Sequence, residues 1–387
     1  MEDKQILKNN EQIINENNNK NNTDLKPKQS FLSAGLDISK FSYRPNLINI
    51  PGFFANQGFP NMSITLFILI TVSHLSMFLL AQSCCSTNNF NYSKLSNIFF
   101  IDYFFQIIVL LLKSLRIFFT INHIIKYSKN FVFNQEYLSV LVVSLLFLLI
   151  LKLKNKIIKY NPYFTLASVV LTISIAFQSS IGKELTILKP RKSSLDDLSI
   201  LCVWLSSHHD VPAVFKSCVT VKNCRLSIIM SHIYTIIAYF SIGVLGYIGF
   251  PDPEPIFVNS FNNPTSPLIC LAYTIKIIRL CLILSNFTTG IAGNLRLENN
   301  KIFPVIMGLL MILSGTTVSS LNNIKLMGLL LSSSVMFLQP TLVYVKTNKM
   351  NLRNVTIALV NLSIGVFLIT IGTLEIYSSY KPVKTKK

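Results

Sequence analysis

The sequence is poor in charged residues. Only 13% of its 387 residues are Asp, Glu, Lys or Arg, whereas 51% are hydrophobic, and an ordinary soluble domain carries about a quarter charged residues. The apolar residues form long uncharged runs that a soluble core of this size would not hide. The composition therefore excludes a soluble protein and predicts one polytopic membrane domain.

Acidic residues are particularly scarce. The chain has 16 Asp and Glu against 35 Lys and Arg, which gives a formal net charge of +19. In a soluble protein this excess would suggest a nucleic-acid partner. Here the basic residues lie mostly between the hydrophobic runs, where Lys and Arg orient a membrane protein. We expect a lipid bilayer around the chain and no nucleic-acid partner.

The sequence also lacks the usual signs of catalysis and metal binding. Its seven cysteines form no CxxC pair, and its five histidines lie on four separate stretches. A disulfide framework, a zinc site or a histidine-rich iron site is therefore not indicated. No phosphate loop and no Gly-x-Ser-x-Gly motif is present. We expect no catalytic residues, no metal and no cofactor.

The hydrophobic runs predict eleven membrane-spanning segments, since a helix needs about 20 apolar residues to cross about 30 Å of hydrocarbon. Segment 1, near residues 31–59, is the weakest because it contains charged residues and prolines. Counting it as a crossing places more Lys and Arg on the side of the N-terminal tail, as the positive-inside rule requires. We expect a disordered polar tail over 1–30, a transmembrane domain over 31–377 and a basic tail over 378–387. Segments 2 to 11 lie near residues 61–82, 98–125, 136–151, 161–182, 198–215, 226–250, 267–295, 302–321, 324–345 and 354–377.

Segments 1 and 6 are interrupted by helix-breaking residues. Segment 1 contains Pro45, Pro51 and Gly52, and segment 6 carries the sequence Ser-Ser-His-His-Asp at 206–210. Transporters built from two inverted repeats have such broken helices at corresponding positions of the two halves, and their substrate site lies there. The sequence therefore predicts an all-α integral membrane protein of about 11 transmembrane helices, with a leucine-transporter-type 5+5 inverted repeat plus one helix.

Several stretches resemble the amino acid/auxin permease family. Residues 207–215, Ser-His-His-Asp-Val-Pro-Ala-Val-Phe, resemble the sixth helix of that family, and residues 243–250 resemble the glycine-rich end of its seventh helix. Residues 50–58 are similar to the end of its first helix, although Arg44, Pro45, Asn46 and Asn49 stand where the family has small residues. Matches to its tenth helix are Gly328, Phe337, Pro340 and Tyr344. The resemblance covers about residues 45–350 and implies an amino acid transporter.

The two interruptions provide the candidate substrate site. An unwound turn exposes backbone groups, which the membrane interior tolerates only where they line a cavity. Amide oxygens, free carbonyls and half-helix ends can then bind the charged groups of a substrate. The alternative is that the asparagines of segment 1 are interfacial residues beside Arg44. The predicted substrate-binding residues are Asn46, Ile48, Asn49, Ser206, Ser207 and His208.

A second set of residues is predicted to couple transport to an ion. Asp210 is the candidate for proton coupling, because ionisable groups within a span are costly and mark pathways or relays. The alternative is that Asp210 lies near the inner end of the helix and is hydrated there or pairs with Lys216. The resemblance implies an ion role for Ser285, Thr288 and Thr289 of segment 8, although hydroxyls also commonly join membrane helices.

Two basic pairs lie deep within their segments. Lys113 and Arg116 are in segment 3, and Lys276 and Arg279 are in segment 8. The spacing of three places each pair on one helix face. Such a basic cavity wall could replace a coupling cation, and the alternative is that these side chains reach the headgroups at a helix end.

The predicted function is secondary active transport of an amino acid, small and neutral, by alternating access. A proton is preferred over sodium as the coupling ion because Asp210 and His208 are able to titrate. The alternatives are a non-transporting amino-acid sensor of the same fold and an integral-membrane enzyme. We expect a monomer in the plasma membrane, with a vacuolar or lysosomal membrane as the alternative location.

Overall fold

The computed structural model describes most of the transmembrane domain. It covers residues 29–43, 47, 49–90, 92, 95, 102–128, 136–157, 160–185, 195–218, 220–253, 260, 266–294, 300, 302–317 and 322–380. Residues 1–28 of the predicted N-terminal tail and 381–387 of the predicted C-terminal tail lie outside this set. The helices are α1 (Phe31–Ser42), α2 (Ile50–Gln57), α3 (Phe59–Thr87), α4 (Asp102–Ser128), α5 (Glu136–Ile157), α6 (Asn161–Ser180), α7 (Leu195–Leu205), α8 (Val211–Cys218), α9 (Val221–Gly249), α10 (Pro267–Asn294), α11 (Ile302–Thr317), α12 (Asn322–Ser333), α13 (Gln339–Thr347) and α14 (Leu352–Tyr380).

The predicted all-α membrane fold is confirmed. No strand occurs among the described residues, and each of the eleven predicted segments corresponds to one helix or to consecutive helices. Segment 1 consists of α1 and α2, segment 6 of α7 and α8, and segment 10 of α12, a π-helical turn at Ser334–Leu338, and α13. Both predicted interruptions are therefore real breaks in helices.

Length and composition mark many of these helices as membrane-spanning. Within the described ranges, six helices are long and apolar enough to cross a bilayer: Phe59–Thr87, Asn161–Ser180, Val221–Gly249, Pro267–Thr289, Met327–Thr347 and Leu352–Leu374. Shorter apolar helical stretches occur at Val140–Leu153 and Ile302–Leu313. The chain is a multi-pass membrane protein.

Helix α5 has an exposed apolar face that fits contact with lipid. Leu141, Leu145 and Leu149 lie one turn apart and are each more than half exposed, whereas Phe147 and Ile150 are buried. Residues four apart share one face of a helix. Because both faces are apolar, the exposed leucine face fits hydrocarbon rather than water.

The chain turns sharply between the second half of segment 1 and segment 2. Pro51 and Pro60 stand in the first turns of α2 and α3, where a missing backbone N–H has no consequence for helical hydrogen bonding. Gly58 joins the two helices with a φ of 82°, which residues with a Cβ rarely adopt.

Helix α9 occupies the centre of one side of the bundle and contacts α1, α2, α3 and α6. Gly243 permits its close approach to α2, since a Cβ at this position would stand 2.4 Å from a ring carbon of Phe54 and 2.8 Å from a methyl of Ile50. The two broken segments also touch each other, because α1 contacts both α7 and α8. The two breaks are therefore close enough to border one site.

The π-helical turn of segment 10 is a third irregularity, which the sequence analysis did not predict. Pro340 lacks a backbone N–H, so one carbonyl about a turn before it loses its helical donor. Side chains from other segments donate to the carbonyls of this turn. The Ser76 hydroxyl donates to Met336 O, the Tyr92 hydroxyl to Val335 O at 3.3 Å, and Asn361 Nδ2 to Phe337 O at 3.2 Å.

Candidate functional site

The break in segment 6 is a turn of five residues. Helix α7 ends at Leu205 and α8 begins at Val211. Within the turn, Ser207 N donates to Leu205 O at 2.7 Å and Asp210 N donates to Ser207 O at 3.0 Å. Pro212 is the second residue of α8 and has no N–H to donate to a carbonyl of the preceding turn, so α7 does not continue into α8 as one helix. Two histidines and an aspartate are thereby held between two short helices.

The break in segment 1 separates α1 from α2. Asn49 precedes the first residue of α2 and is buried, with 6% of its surface exposed. Asn46 and Ile48, also predicted as substrate-binding residues, lie outside the described residues.

A cavity of about 480 Å³ lies between these broken segments and three further helices. Helices α1, α4, α6, α8 and α10 contribute to its wall. Asn161, Pro162 and Thr165 are in the first turns of α6, so the cavity reaches an end of the bundle. By the predicted topology this end is the side of the N-terminal tail. The charged and titratable residues in the wall are Asp37, Lys40, Lys113, Arg116, His209, Asp210 and Arg279.

The cavity wall holds acidic groups that are each close to a basic one. Lys113 Nζ lies 3.6 Å from Asp210 Oδ1, and Lys40 bonds to Asp37 within α1. His209 Nε2 lies 3.1 Å from the other oxygen of Asp210. Two carboxylates face four Lys and Arg side chains, so the wall carries an excess of basic residues and yet offers sites for both signs of charge.

The other side of the bundle is closed around the same breaks. Phe53 of α2 stacks on Trp204 of α7 with 5.6 Å between ring centroids. Asn56 Nδ2 donates to Asp197 Oδ2 at 3.3 Å, which joins the same two helices. Further aromatic contacts at this position are made by Phe54, Phe59 and Tyr247. The cavity is therefore accessible from one side of the membrane domain and blocked on the other.

The predicted turn residues lie behind the cavity wall in this conformation. Ser206, Ser207 and His208 have no exposed surface. The Ser206 hydroxyl donates to Val203 O at 2.9 Å, and His208 Nε2 lies 3.0 Å from Ser73 O, which it can reach as a donor. Direct substrate contact by these residues stays a prediction.

The predicted coupling residues divide into two groups. Asp210 lines the cavity. Ser285 and Thr288 are fully buried, and the Thr288 and Thr289 hydroxyls donate to carbonyls of their own helix, including Ser285 O at 3.2 and 2.8 Å. From the same helix Asn286 lines the cavity. An ion role for the three hydroxyls stays a prediction.

Sequence reasoning missed Asp37 and Lys40 as site residues. Both stand within a predicted span, and ionisable residues there mark functional sites by default. The charges of Asp37 and Lys40 lower the hydropathy of segment 1. The same charges, inside a membrane span, could have identified both residues as candidates for the site.

Comparison with known proteins supports the fold. No protein-family model matches the chain, and no curated protein matches it. Two crystal structures of mutants of the Eremococcus coleocola manganese transporter match with a TM-score of 0.60 at 11% identity, covering 92% of this chain and 89% of that one. A third structure, of the same transporter in complex with an aromatic bis-isothiourea substituted compound, matches with a TM-score of 0.51 at 10% identity, covering 90% and 95%.

These similarities identify a class of fold. The chain has the all-α architecture of a membrane transporter over nine tenths of its length. At 10–11% identity the match shows a shared fold and carries no information about the substrate. The resemblance to the amino acid/auxin permease family is not established by any of these comparisons.

Proposed function

We propose that this protein is a secondary active transporter of small neutral amino acids that works by alternating access. The observation that carries the proposal is a charged cavity placed at two broken helices, open to one side and closed by aromatic side chains on the other. Such a cavity can be exposed to each side in turn when the broken segments move.

The charges of the wall suit a zwitterion. A free amino acid carries a carboxylate and an ammonium group, and both must be satisfied as water is excluded. Lys113 and Asp210 offer one opposite-charge pair, and Lys40 and Asp37 offer another. The substrate's carboxylate would bind to the lysines and its ammonium to the aspartates. The predicted contacts at Asn46, Ile48, Asn49, Ser206, Ser207 and His208 would then complete the site as the cavity closes.

Proton coupling fits the position of Asp210. This carboxylate is partly exposed to the cavity, with His209 and Lys113 beside it. Binding or loss of a proton would change its attraction for both Lys113 and a substrate ammonium, which links protonation to substrate binding.

Transport of a divalent metal has less support, although the similar structures are of a manganese transporter. In the described part of the chain, no group of three or more His, Cys, Asp and Glu side chains could hold a metal ion. The excess of Lys and Arg in the cavity wall would also repel a divalent cation.

Uptake into proteoliposomes tests the proposal. Purified protein is reconstituted, and labelled alanine, serine and glutamine are offered under an imposed proton gradient, an imposed sodium gradient or no gradient. We expect uptake driven by the proton gradient. We expect Asp210→Asn to lose this acceleration and also to bind substrate more weakly, because the substrate's ammonium loses one of its two carboxylate partners. Absence of amino acid uptake under every gradient would favour the sensor, and uptake of Mn²⁺ alone would contradict the proposed substrate class.

Location and assembly are proposed with the function. We propose a monomer in the plasma membrane. Labelling of intact cells with an impermeant reagent tests the location, since a vacuolar or lysosomal protein would remain unlabelled.

A further inference from the structure

Two buried arginines cap the broken helices. Arg279 of α10 donates to Tyr43 O, and to Lys40 O at 3.4 Å, which are carbonyls at the end of α1. Arg116 of α4 donates from Nε to Val203 O at 2.8 Å and from Nη2 to the Ser206 carbonyl at the end of α7. The two arginines are 3% and 5% exposed.

The two caps occupy equivalent places in the two repeats. Segment 3 corresponds to segment 8 in the 5+5 arrangement, and segment 1 corresponds to segment 6. Each arginine is near the middle of its helix, three residues after a lysine, and each binds the first half-helix of the broken segment in the other repeat. The repeated arrangement indicates one role that is carried out twice, rather than two unrelated buried charges.

The half-helix ends are places where a cation is favoured. The last carbonyls of a helix lack intrahelical donors and carry partial negative charge. In transporters with broken helices, such ends and the unwound carbonyls coordinate the coupling Na⁺ or H⁺. A guanidinium group has five donors, has no acceptor and stays protonated in proteins. Arg116 and Arg279 therefore place a permanent cation at both of these ends.

We propose that Arg116 and Arg279 are fixed substitutes for coupling cations at the two breaks, so that transport requires no sodium or other metal cation. This inference rests on the proposed transport function and specifies its coupling. The arginine charge neither enters nor leaves during the transport cycle. Asp210, which lines the same cavity, then remains the group at which a proton can couple to transport.

The inference is tested by replacing one of the two arginines with alanine and adding guanidinium to the solution. The variants are Arg279→Ala and Arg116→Ala, with Lys216→Ala, an exposed position on α8, as the matched control. The first measurement is the Tm of purified protein in detergent with equal concentrations of sodium, potassium or guanidinium chloride in the millimolar range. The second is amino acid uptake into proteoliposomes in the same salts.

The wild type and Lys216→Ala are expected to show the same Tm and the same uptake in sodium and in potassium. Each arginine variant is expected to lose roughly 5 °C of Tm and most uptake, because buried carbonyls lose a charged donor. Guanidinium should recover part of the lost Tm and part of the lost uptake in the arginine variants, and it should raise neither quantity in Lys216→Ala. Should the alanine variants fail to fold, Arg279→Lys, which keeps the charge, should fold and take up substrate without sodium.

Three results would overturn the inference: sodium-dependent uptake by the wild type or by Arg279→Lys, alanine variants that behave as wild type, or losses that guanidinium does not recover. A wild type that takes up no amino acid in any salt would instead refute the proposed function. The recovery of Tm by guanidinium would still report on the two caps in that case.

Discussion

Replacing Lys113 with alanine is expected to weaken substrate binding far more than it weakens the fold. Lys113 Nζ lies 3.6 Å from Asp210 Oδ1, and the two side chains are 38% and 30% exposed. Ion pairs this accessible to water contribute about 0.2–1 kcal/mol to stability. For a chain of this size, the Tm should fall by no more than about 3 °C.

The effect of Lys113→Ala on substrate binding is expected to be larger, because the closed cavity contains less water than the open one. Once the cavity closes around an amino acid, the ammonium of Lys113 would bind the substrate's carboxylate with little water present. Hydrogen bonds to charged groups contribute about 1.5–3 kcal/mol, and each 1.4 kcal/mol is a factor of ten in Kd. We therefore expect Lys113→Ala to weaken binding roughly 10- to 100-fold.

Calorimetric titration of the purified protein with an amino acid and with its amide provides the assay. The wild type should prefer the amino acid, whose carboxylate the amide lacks, and Lys113→Ala, which keeps only Lys40 for this carboxylate, should show a much smaller preference. Lys216→Ala removes an exposed lysine from α8 and should leave the preference unchanged. Wild-type affinity in Lys113→Ala would refute this role, as would an affinity loss that follows from a large fall in Tm.

The breaks in the helices could be predicted from the sequence because their causes are local. Pro51 and Gly52 in segment 1, and the turn from Ser206 to Asp210 before Pro212, place weak helix formers and polar groups inside otherwise apolar runs. A continuous helix there would bury charged side chains in hydrocarbon, and a proline removes one of its hydrogen bonds. Both facts can be established without any knowledge of neighbouring segments.

The composition of the cavity wall could be predicted only in part, because it depends on how distant helices pack. The sequence shows that Lys113 and Arg116 lie unusually deep, yet their partners Asp210 and Ser206 are 97 and 90 residues away in sequence. Local spacing identifies which side chains share a helix face. It does not identify the opposing helix, so the arginine caps became apparent only from the structure.

The π-helical turn of segment 10 shows the same limit. Pro340 indicates where the backbone loses donors, but a proline kink and a π-helical turn have the same sequence signal. The choice depends on the donors that neighbouring segments supply, here from Ser76, Tyr92 and Asn361.

Three further substitutions test the fold and the site. Gly243→Ala should lower the Tm of the purified protein, because a Cβ there would overlap Phe54 and overpacking costs about 1–3 kcal/mol. The control is Gly52→Ala, which has open space around its Cβ. Equal Tm values for the two variants would contradict the close packing of α9 on α2. Asn361→Leu should also lower the Tm, since it removes a side-chain donor to Phe337 O. Leaving a buried carbonyl unsatisfied costs about 1–3 kcal/mol. An unchanged Tm would show that the π-helical turn needs no such donor. Ser207→Leu should abolish uptake into proteoliposomes while the protein still inserts and folds. Ser207 and Ser333 both have no exposed surface, so leucine at either position should cause a similar loss of stability. Ser207 differs because it belongs to the unwound turn between α7 and α8, which we propose moves against substrate as the cavity closes. Ser333 is instead the last residue of α12. Ser333→Leu should therefore retain most of its uptake, and normal uptake by Ser207→Leu together with loss of uptake in Ser333→Leu would place the substrate site away from the segment 6 turn.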